Sequence, residues 1–324
     1  MSHSIRIHET GSPAVMKLVN TNPATPGPGQ LLIRHAAIGV NYIDTYHRSG
    51  LYPVPLPSGI GLEAAGIVEA VGADTDGFAP GDRVAYGNGP IGAYATLNLV
   101  AANRVAKLPP GVDFESAAAI MLKGMTARYL LKETYPVQPG DTILYHAAAG
   151  GVGLLMCQWA RDLDVTLIGT ASTDEKCALA LSMGATHMIN STREDIVARV
   201  REITGGKGVP VVYDGVGKAT FEISLDCLQP RGLLATFGNA SGPVTGVDLG
   251  ILTQKGSLYV TRPSLGHYVA SDDALAANTA DVFDAVARGA LNITINQRYG
   301  LDEAVRAHED LESRRTTGAS ILIP

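Results

Sequence analysis

Along residues 1–120, apolar side chains come in short runs that turn formers interrupt. Residues 31–38, 63–71 and 82–86 read as strands, and Pro/Gly clusters at 26–29, 53–59, 72–77 and 80–81 mark the turns. Short strands at this spacing predict a β-barrel or sandwich, with the proline-rich 53–57 as a surface loop. From about residue 124 the period lengthens. A strand at 141–146 is followed by Val152, Leu155, Met156, Trp159 and Ala160 at helical spacing. A second strand at 165–169 leads into a helix with Thr173 or Asp174 as N-cap and Gly184 as its stop. Ile196, Val200 and Ile203 mark a third helix, with Thr192 and Asp195 as cap candidates and Gly205-Gly206 ending it. Two more strands follow at 209–213 and 233–237. This alternation predicts βαβ units and a parallel sheet. It stops near residue 260. Leu301, Ala304, Val305, His308 and Leu311 then form one helical stripe before a closing strand at 319–323, and this tail is expected to rejoin the β-rich part.

The fold class is therefore α/β, a doubly wound parallel sheet with a second, β-rich domain. A length of 324 residues agrees with two domains. Hydrophobic residues make up 46% and charged ones only 17%, which excludes a disordered chain or a coiled coil. The net charge of −6, spread without blocks, argues against a nucleic-acid partner, which would need a basic surface. Cys157, Cys177 and Cys227 are too few for a disulfide framework and too far apart for a Cys-x-x-Cys metal clip. They point to a reducing, cytoplasmic setting. The N-terminal Met1-Ser-His-Ser-Ile-Arg lacks the apolar core of a signal peptide. The most apolar stretch, 147–156, falls short of the ~18 residues of a spanning helix, so no membrane partner is expected. Glycine is the oddity: 37 residues exceed the usual share of ~7%.

One glycine cluster carries chemistry. Ala-Ala-Ala-Gly-Gly-Val-Gly at 147–153 directly follows a strand and opens an amphipathic helix. It matches the Gly-x-x-Gly end of a dinucleotide fingerprint, with alanine at the first glycine position. At Gly150, Gly151, Val152 and Gly153 a pyrophosphate can approach the backbone, and the helix dipole favours its charge there. The same glycines also fit a tight strand-to-helix turn, but three exceed what a turn requires. The end of the second strand selects the cofactor, because a carboxylate there would hold the ribose 2′-hydroxyl of NAD. Here the chain reads Gly-Thr-Ala-Ser-Thr-Asp-Glu-Lys at 169–176, and its acids come late. Thr170, Ser172 and Lys176 are candidates for a 2′-phosphate, so NADPH is the expected cofactor, although Lys176 also fits a solvated helix lysine.

These residues resemble the medium-chain dehydrogenase/reductase superfamily and, within it, the zeta-crystallin-like NADPH:quinone oxidoreductases. The resemblance spans the chain and rests on segments 38–46, 48–53, 61–66, 79–84, 146–153 and 259–264. It implies a GroES-like barrel domain of residues 1–123 and 262–324 and a Rossmann domain of residues 124–261, with the cofactor in the cleft between them. It also implies a homodimer joined through Rossmann sheet edges. Zinc-dependent members have a catalytic cysteine where Asn41 stands, and a Gly-His-Glu segment that here reads Gly61-Leu62-Glu63. Glu63 alone cannot hold zinc, which takes three protein ligands; no metal is expected. Without zinc to stabilise an alkoxide, an acceptor that takes hydride readily is favoured: a quinone, or alternatively an activated double bond in an enone.

By the same resemblance, Asn41 and Tyr46 face nicotinamide and substrate, where amide and hydroxyl could bond a quinone oxygen. A barrel-surface place for Tyr46 also fits the sequence. Lys123 and Thr126 resemble residues lining the cofactor side of the cleft, and Phe237-Gly238-Asn239 matches the nicotinamide-side loop. Arg314 matches an arginine that reaches the adenosine phosphate, with Arg315 as a second candidate. Two departures stand out: Ser191 replaces a tyrosine near the 2′-phosphate, and Leu62 replaces a small hydroxyl residue. His146 fits either a catalytic acid or a buried histidine bonded to backbone, and His47 is similarly open. The cysteines read as packing residues. Relatives that serve as crystallins or bind AU-rich RNA suggest a non-enzymatic role, which the charge of −6 argues against.

Overall fold

The computed structural model describes residues 2–22 and 25–324, so Met1 of the N-terminal reading lies outside it. The change of period near residue 124 coincides with a division into two units. One comprises Met1–Met125, Val269–Ala287 and Ile293–Pro324, the other Thr126–Tyr268 and Arg288–Asn292.

The first unit opens with β1 (Ser2–Ile7), β2 (Lys17–Thr21) and β3 (Gln30–Val40), then the helix α1 (Tyr42–Ser49). β4 (Ser58–Gly59), β5 (Ala64–Val71), β6 (Arg83–Tyr86), β7 (Leu97–Ala101) and β8 (Ala106–Lys107) follow. The long α2 (Phe114–Tyr129) comes next and contains the chain's passage to the second unit at 125/126.

The second unit alternates: β9 (Thr142–Tyr145), α3 (Gly151–Asp162), β10 (Thr166–Ala171), α4 (Asp174–Ser182), β11 (His187–Asn190), α5 (Ile196–Ile203) and β12 (Val209–Asp214). It continues with α6 (Phe221–Cys227), β13 (Leu228–Thr236), α7 (Gly250–Gln254), β14 (Tyr259–Thr261) and α8 (Leu265–Tyr268). The sheet order β11-β10-β9-β12-β13-β14, parallel throughout, is the Rossmann order. The order reverses between β9 and β12, so the turn after β9 opens at the switch point where such sheets bind ligands. Leu144, Ile168, Val212 and Leu234 are fully buried in this sheet, as the near-continuous apolar runs of a sheet covered on both faces require.

The chain then adds α9 (Asp272–Ala287), β15 (Ile295–Gly300), α10 (Ala304–Glu312) and β16 (Ala319–Ile323) to the first unit. β16 pairs antiparallel with β3, which places the tail on the β-rich sheet. β3 also pairs with β5 and β7, and two register shifts against β5 bend it. Its fully buried Leu31, Ile33 and Ile38 pack with Ile7, Tyr86, Tyr94 and Leu322 in the barrel core.

Several elements differ from the sequence reading. The strand expected at 233–237 starts at Leu228 and ends before Phe237, directly after a seven-residue α6 too short to show a stripe. α9 has no counterpart in the sequence pattern, because Asn278 and Thr279 are buried along with its apolar residues. It belongs to the first unit, where Arg104 donates to the Val269 carbonyl at 2.8 Å and pairs with Asp272. Residues 288–292 instead return to the second unit: Gln158 and Asn292 exchange hydrogen bonds of 3.1 and 2.7 Å, and Arg288 grips Asp162 with two of 2.6 Å. Among the described residues no helix is long and apolar enough to cross a membrane.

Candidate active site

In the second unit, β9 ends at Tyr145 and the chain turns through Ala147, held in the left-handed region at φ +59°, into α3. Gly150 is the N-cap of α3 and offers no side chain to its first turn, so backbone N–H groups face outward for an anion. Gly153 is needed for closeness. A Cβ there would lie 2.5 Å from the Ala148 carbonyl oxygen and 2.7 Å from that of Ala147, whereas one at Gly150 would meet the Ala147 oxygen at 3.3 Å. A pyrophosphate therefore fits the turn: close packing at Gly153 sets the helix against the loop, and Gly150 keeps the approach clear.

His146 supports this turn from below. It is 1% exposed, with Nδ1 3.1 Å from Thr170 Oγ1 and Nε2 3.1 Å from Ser224 Oγ. Ser224 donates to Asp214 Oδ2 at 3.1 Å; its one proton is thus committed, so His146 Nε2 is the donor to it and Nδ1 accepts from Thr170. Burial lowers the His146 pKa, which keeps the ring neutral. His146 is therefore a packed strut bonded to side chains, rather than to backbone as expected. The same geometry corrects Thr170. Its hydroxyl is 4% exposed, donates to His146 and accepts the Ala147 N–H at 3.4 Å, so it is not available to a 2′-phosphate.

At the end of β10, Ser172 and Lys176 are half-buried. Thr173 caps α4 by accepting the Lys176 backbone N–H at 3.3 Å. The first acid, Asp174, is engaged: Oδ1 accepts from Asn190 at 2.6 Å and Oδ2 pairs with Arg193. No carboxylate is thus left at the place of a ribose-binding acid. Ser191 donates to the Ala171 carbonyl at 3.1 Å. Arg193, with its side chain 70% exposed, is a cation beside this turn that sequence reasoning passed over; it had no pattern to mark it.

Phe237 follows β13 with its ring 6.1 Å from that of Tyr145. Arg262 holds the loop by donating to the carbonyls of Thr236 and Gly238, each at 2.9 Å. Asn239 accepts the Gly242 N–H through its carbonyl at 2.9 Å. Thr126, in α2, is buried at 6% exposure. Burial raises the Cys157 and Cys227 thiols to about 12, and Cys177 is half-buried. All three are free thiols in packed positions.

In the first unit, Asn41 ends the extended segment after β3 and is the N-cap of α1. Its N–H donates to Asp44 Oδ2 at 2.8 Å and its Nδ2 to Glu63 Oε2 at 2.8 Å. Glu63 is wholly buried and also accepts Leu122 N–H at 2.7 Å and Lys123 Nζ at 3.1 Å. Asn41 and Lys123 thus surround the one remaining acid of the Gly-His-Glu segment. Among the described residues no group of three or more His, Cys, Asp or Glu is placed to hold a metal ion. Tyr46 is buried in α1, edge-on to Tyr52 at 5.2 Å, so it is not a barrel-surface aromatic. His47 also packs edge-on to Tyr52.

A buried polar chain anchors α1. Arg48 donates to His308 Nδ1 at 3.3 Å, so His308 Nε2 carries the proton that it shares with Tyr94 Oη at 3.0 Å, and Tyr94 donates to Asp44 at 3.0 Å. Burial pushes Asp44 up to about 7 and His308 down to about 3. Arg48 also grips Glu312 with two bonds of 2.9 and 2.7 Å. Two residues on, Arg314 is exposed with φ +60°, and the exposed Arg315 pairs with Asp310 at 2.7 Å. An acid three residues after an Asn N-cap is a capping-box signature, so Asp44 was open to discovery from sequence. The Tyr94, His308 and Arg48 links were not.

Comparison with known proteins agrees with this arrangement. A model of the alcohol dehydrogenase GroES-like domain matches residues 27–110, and one of the zinc-binding dehydrogenases matches residues 151–276. The sequence is 56% identical to a quinone oxidoreductase of Pseudomonas aeruginosa over 100% of both chains. The crystal structure of Escherichia coli quinone oxidoreductase complexed with NADPH is 51% identical and superposes with a TM-score of 0.98, covering 99% of this chain and 100% of that one. A 2-haloacrylate reductase of Burkholderia is 45% identical over 98% of each chain. The fold and the glycine turn define a member of the medium-chain dehydrogenase/reductase superfamily. Within it, the chain belongs to the zeta-crystallin-like quinone oxidoreductase family.

Proposed function

We propose that the protein is an NADPH-dependent quinone reductase that works without a metal. The observation that carries this reading is the likeness, over the whole of both chains, to quinone oxidoreductases, one of them solved with NADPH. NADPH, when bound, supplies a hydride from nicotinamide C4. The first turn of α3, at Gly150, Gly151, Val152 and Gly153, receives the pyrophosphate. In the second unit Ser172 and Lys176 receive the 2′-phosphate, which the engaged Asp174 does not oppose. Thr126 and the Phe237-Gly238-Asn239 loop serve the nicotinamide side, and Asn41 and Tyr46 position the acceptor. A hydroquinone anion takes its proton from water, so these groups act by proximity and orientation rather than as obligatory acids.

The protein acts as a cytoplasmic homodimer in this reading. β14 is an edge strand of the Rossmann sheet with Tyr259 62% exposed and Val260 40% exposed, and an apolar edge strand is suited to pairing with a second copy. Three free thiols suit a reducing compartment.

A second reading, reduction of an activated carbon–carbon double bond, is favoured by the likeness to the 2-haloacrylate reductase. That chemistry needs a proton at the α-carbon, for which Tyr46 is the donor. Tyr46→Phe separates the two: a loss below threefold in kcat with a quinone supports quinone reduction, and a loss on the order of 100-fold with the preferred acceptor supports double-bond reduction.

A further inference from the structure

Glu63 has no part in the reading above, yet it is the most densely bonded buried acid beside the proposed acceptor residues. It has no exposed surface, and Asn41 Nδ2, Leu122 N–H and Lys123 Nζ reach it at 2.8, 2.7 and 3.1 Å. Those donors come from the N-cap of α1 and from the middle of α2. β3 makes room for the carboxylate: a Cβ on Gly39 would lie 2.0 Å from Glu63 Oε2 and 2.3 Å from the Ala118 carbonyl oxygen. Replacing a buried ion pair by apolar side chains is often harmless to stability, so packing alone does not explain the Glu63–Lys123 pair. The bond to Asn41 has a directional consequence. A carboxylate accepts only, so the amide must turn Nδ2 toward Glu63; flipped, it would set Oδ1 against an anion. One N–H of that Nδ2 is thereby fixed and the other is aimed by it.

We infer that Glu63 is a positioning residue for hydride transfer: it sets the Asn41 amide in one orientation and keeps the Lys123 ammonium beside it. This rests on the reading that Asn41 holds the acceptor. The hydride brings the acceptor two electrons and one proton and leaves NADP+; the acceptor oxygen carries a negative charge until water protonates it. Donors already fixed toward that oxygen stabilise the charge without reorganising.

The test compares Glu63→Gln, Glu63→Gln/Lys123→Met and Asn41→Asp/Glu63→Gln with wild type, using whichever acceptor wild type turns over. The Lys123→Met double variant leaves no unpaired buried cation, and the Asn41→Asp double variant restores the bond with donor and acceptor exchanged. Expected results are kcat lowered about 10–100-fold in all three, melting temperatures recovered in the double variants, and NADPH dissociation constants by fluorescence within twofold of wild type. The Asn41 side-chain amide resonances, sharp and protected from exchange in wild type, should lose that protection in Glu63→Gln. A kcat within twofold of wild type in the double variants that regain stability would overturn the inference, because Glu63 would then be a packing residue. Wild-type protein inert with every quinone but active on an enone would overturn the quinone reading instead, and the same comparisons on the enone would still judge Glu63.

Discussion

The glycine turn after β9 makes a prediction that separates folding from cofactor binding. At Gly153 an added Cβ would meet backbone oxygens at 2.5 and 2.7 Å, well inside an ordinary contact of about 3.3–3.6 Å. Both atoms belong to the rigid turn, so α3 must move away by most of an ångström. Overpacking of this kind costs about 1–3 kcal/mol. A fall in melting temperature of roughly 2–4 °C per kcal/mol follows. At Gly150 the added Cβ finds its nearest atom at 3.3 Å, and φ −79° and ψ 173° suit alanine. Only the loss of a favoured N-cap residue remains, under about 1 kcal/mol. The new methyl stands, however, where the pyrophosphate approaches. Gly153→Ala should therefore melt several degrees lower, whereas Gly150→Ala should melt near wild type and bind NADPH at least tenfold more weakly. Calorimetry and fluorescence titration read the two effects separately. Wild-type NADPH affinity in Gly150→Ala would show that the pyrophosphate does not approach there, and an unchanged melting temperature in Gly153→Ala would show that α3 gives way without cost.

Other predictions follow from the same geometry. Thr170→Val leaves the buried His146 Nδ1 without its partner, at about 1–3 kcal/mol; denaturant midpoints should drop while the ratio of NADPH to NADH Michaelis constants stays constant, and a changed ratio would return Thr170 to the phosphate site. Lys176→Ala should raise the Michaelis constant for NADPH much more than that for NADH, and equal effects on both would remove Lys176 from phosphate recognition. Asp44 is raised from 3.8 to about 7 by burial, so the folded state keeps a proton that the unfolded chain sheds above pH 4. Its contribution therefore lowers stability progressively from about pH 4 to 7, by up to about 4 kcal/mol. Asp44→Asn still accepts from Tyr94 and Asn41, and urea unfolding should find it more stable than wild type at pH 8, with the gain fading toward pH 4. The opposing effects of His35 and His308, whose lowered values weaken the fold as pH falls below about 6.5, are common to both proteins and cancel in that comparison.

How much of this was legible in the sequence depends on the distance over which each feature is determined. The turn at 147–153, the caps Thr173 and Asp195 and the strands around them are set by neighbours within one turn or strand, and pattern alone finds them. α6 and α9 escaped for different reasons. α6 is seven residues long, and α9 buries Asn278 and Thr279 as well as Leu275, Val282 and Phe283, which blurs its stripe. The fate of a hydroxyl is decided by partners far away in sequence. Thr170 looked available because its own segment contains no acceptor, but His146 and Ala147 claim it across the sheet. Glu63 looked like the leftover of a lost metal site. Lys123, some 60 residues on, completes its shell, and only the fold brings them together.

Initial rates of NADPH oxidation across a panel of quinones, enones and aldehydes, with NADH as control, decide whether the protein reduces quinones with NADPH. The expected kcat/KM is highest for a quinone with NADPH and at least tenfold lower with NADH, with negligible turnover of simple aldehydes. Rapid enone reduction with every quinone inert, or equal use of NADH, would contradict it.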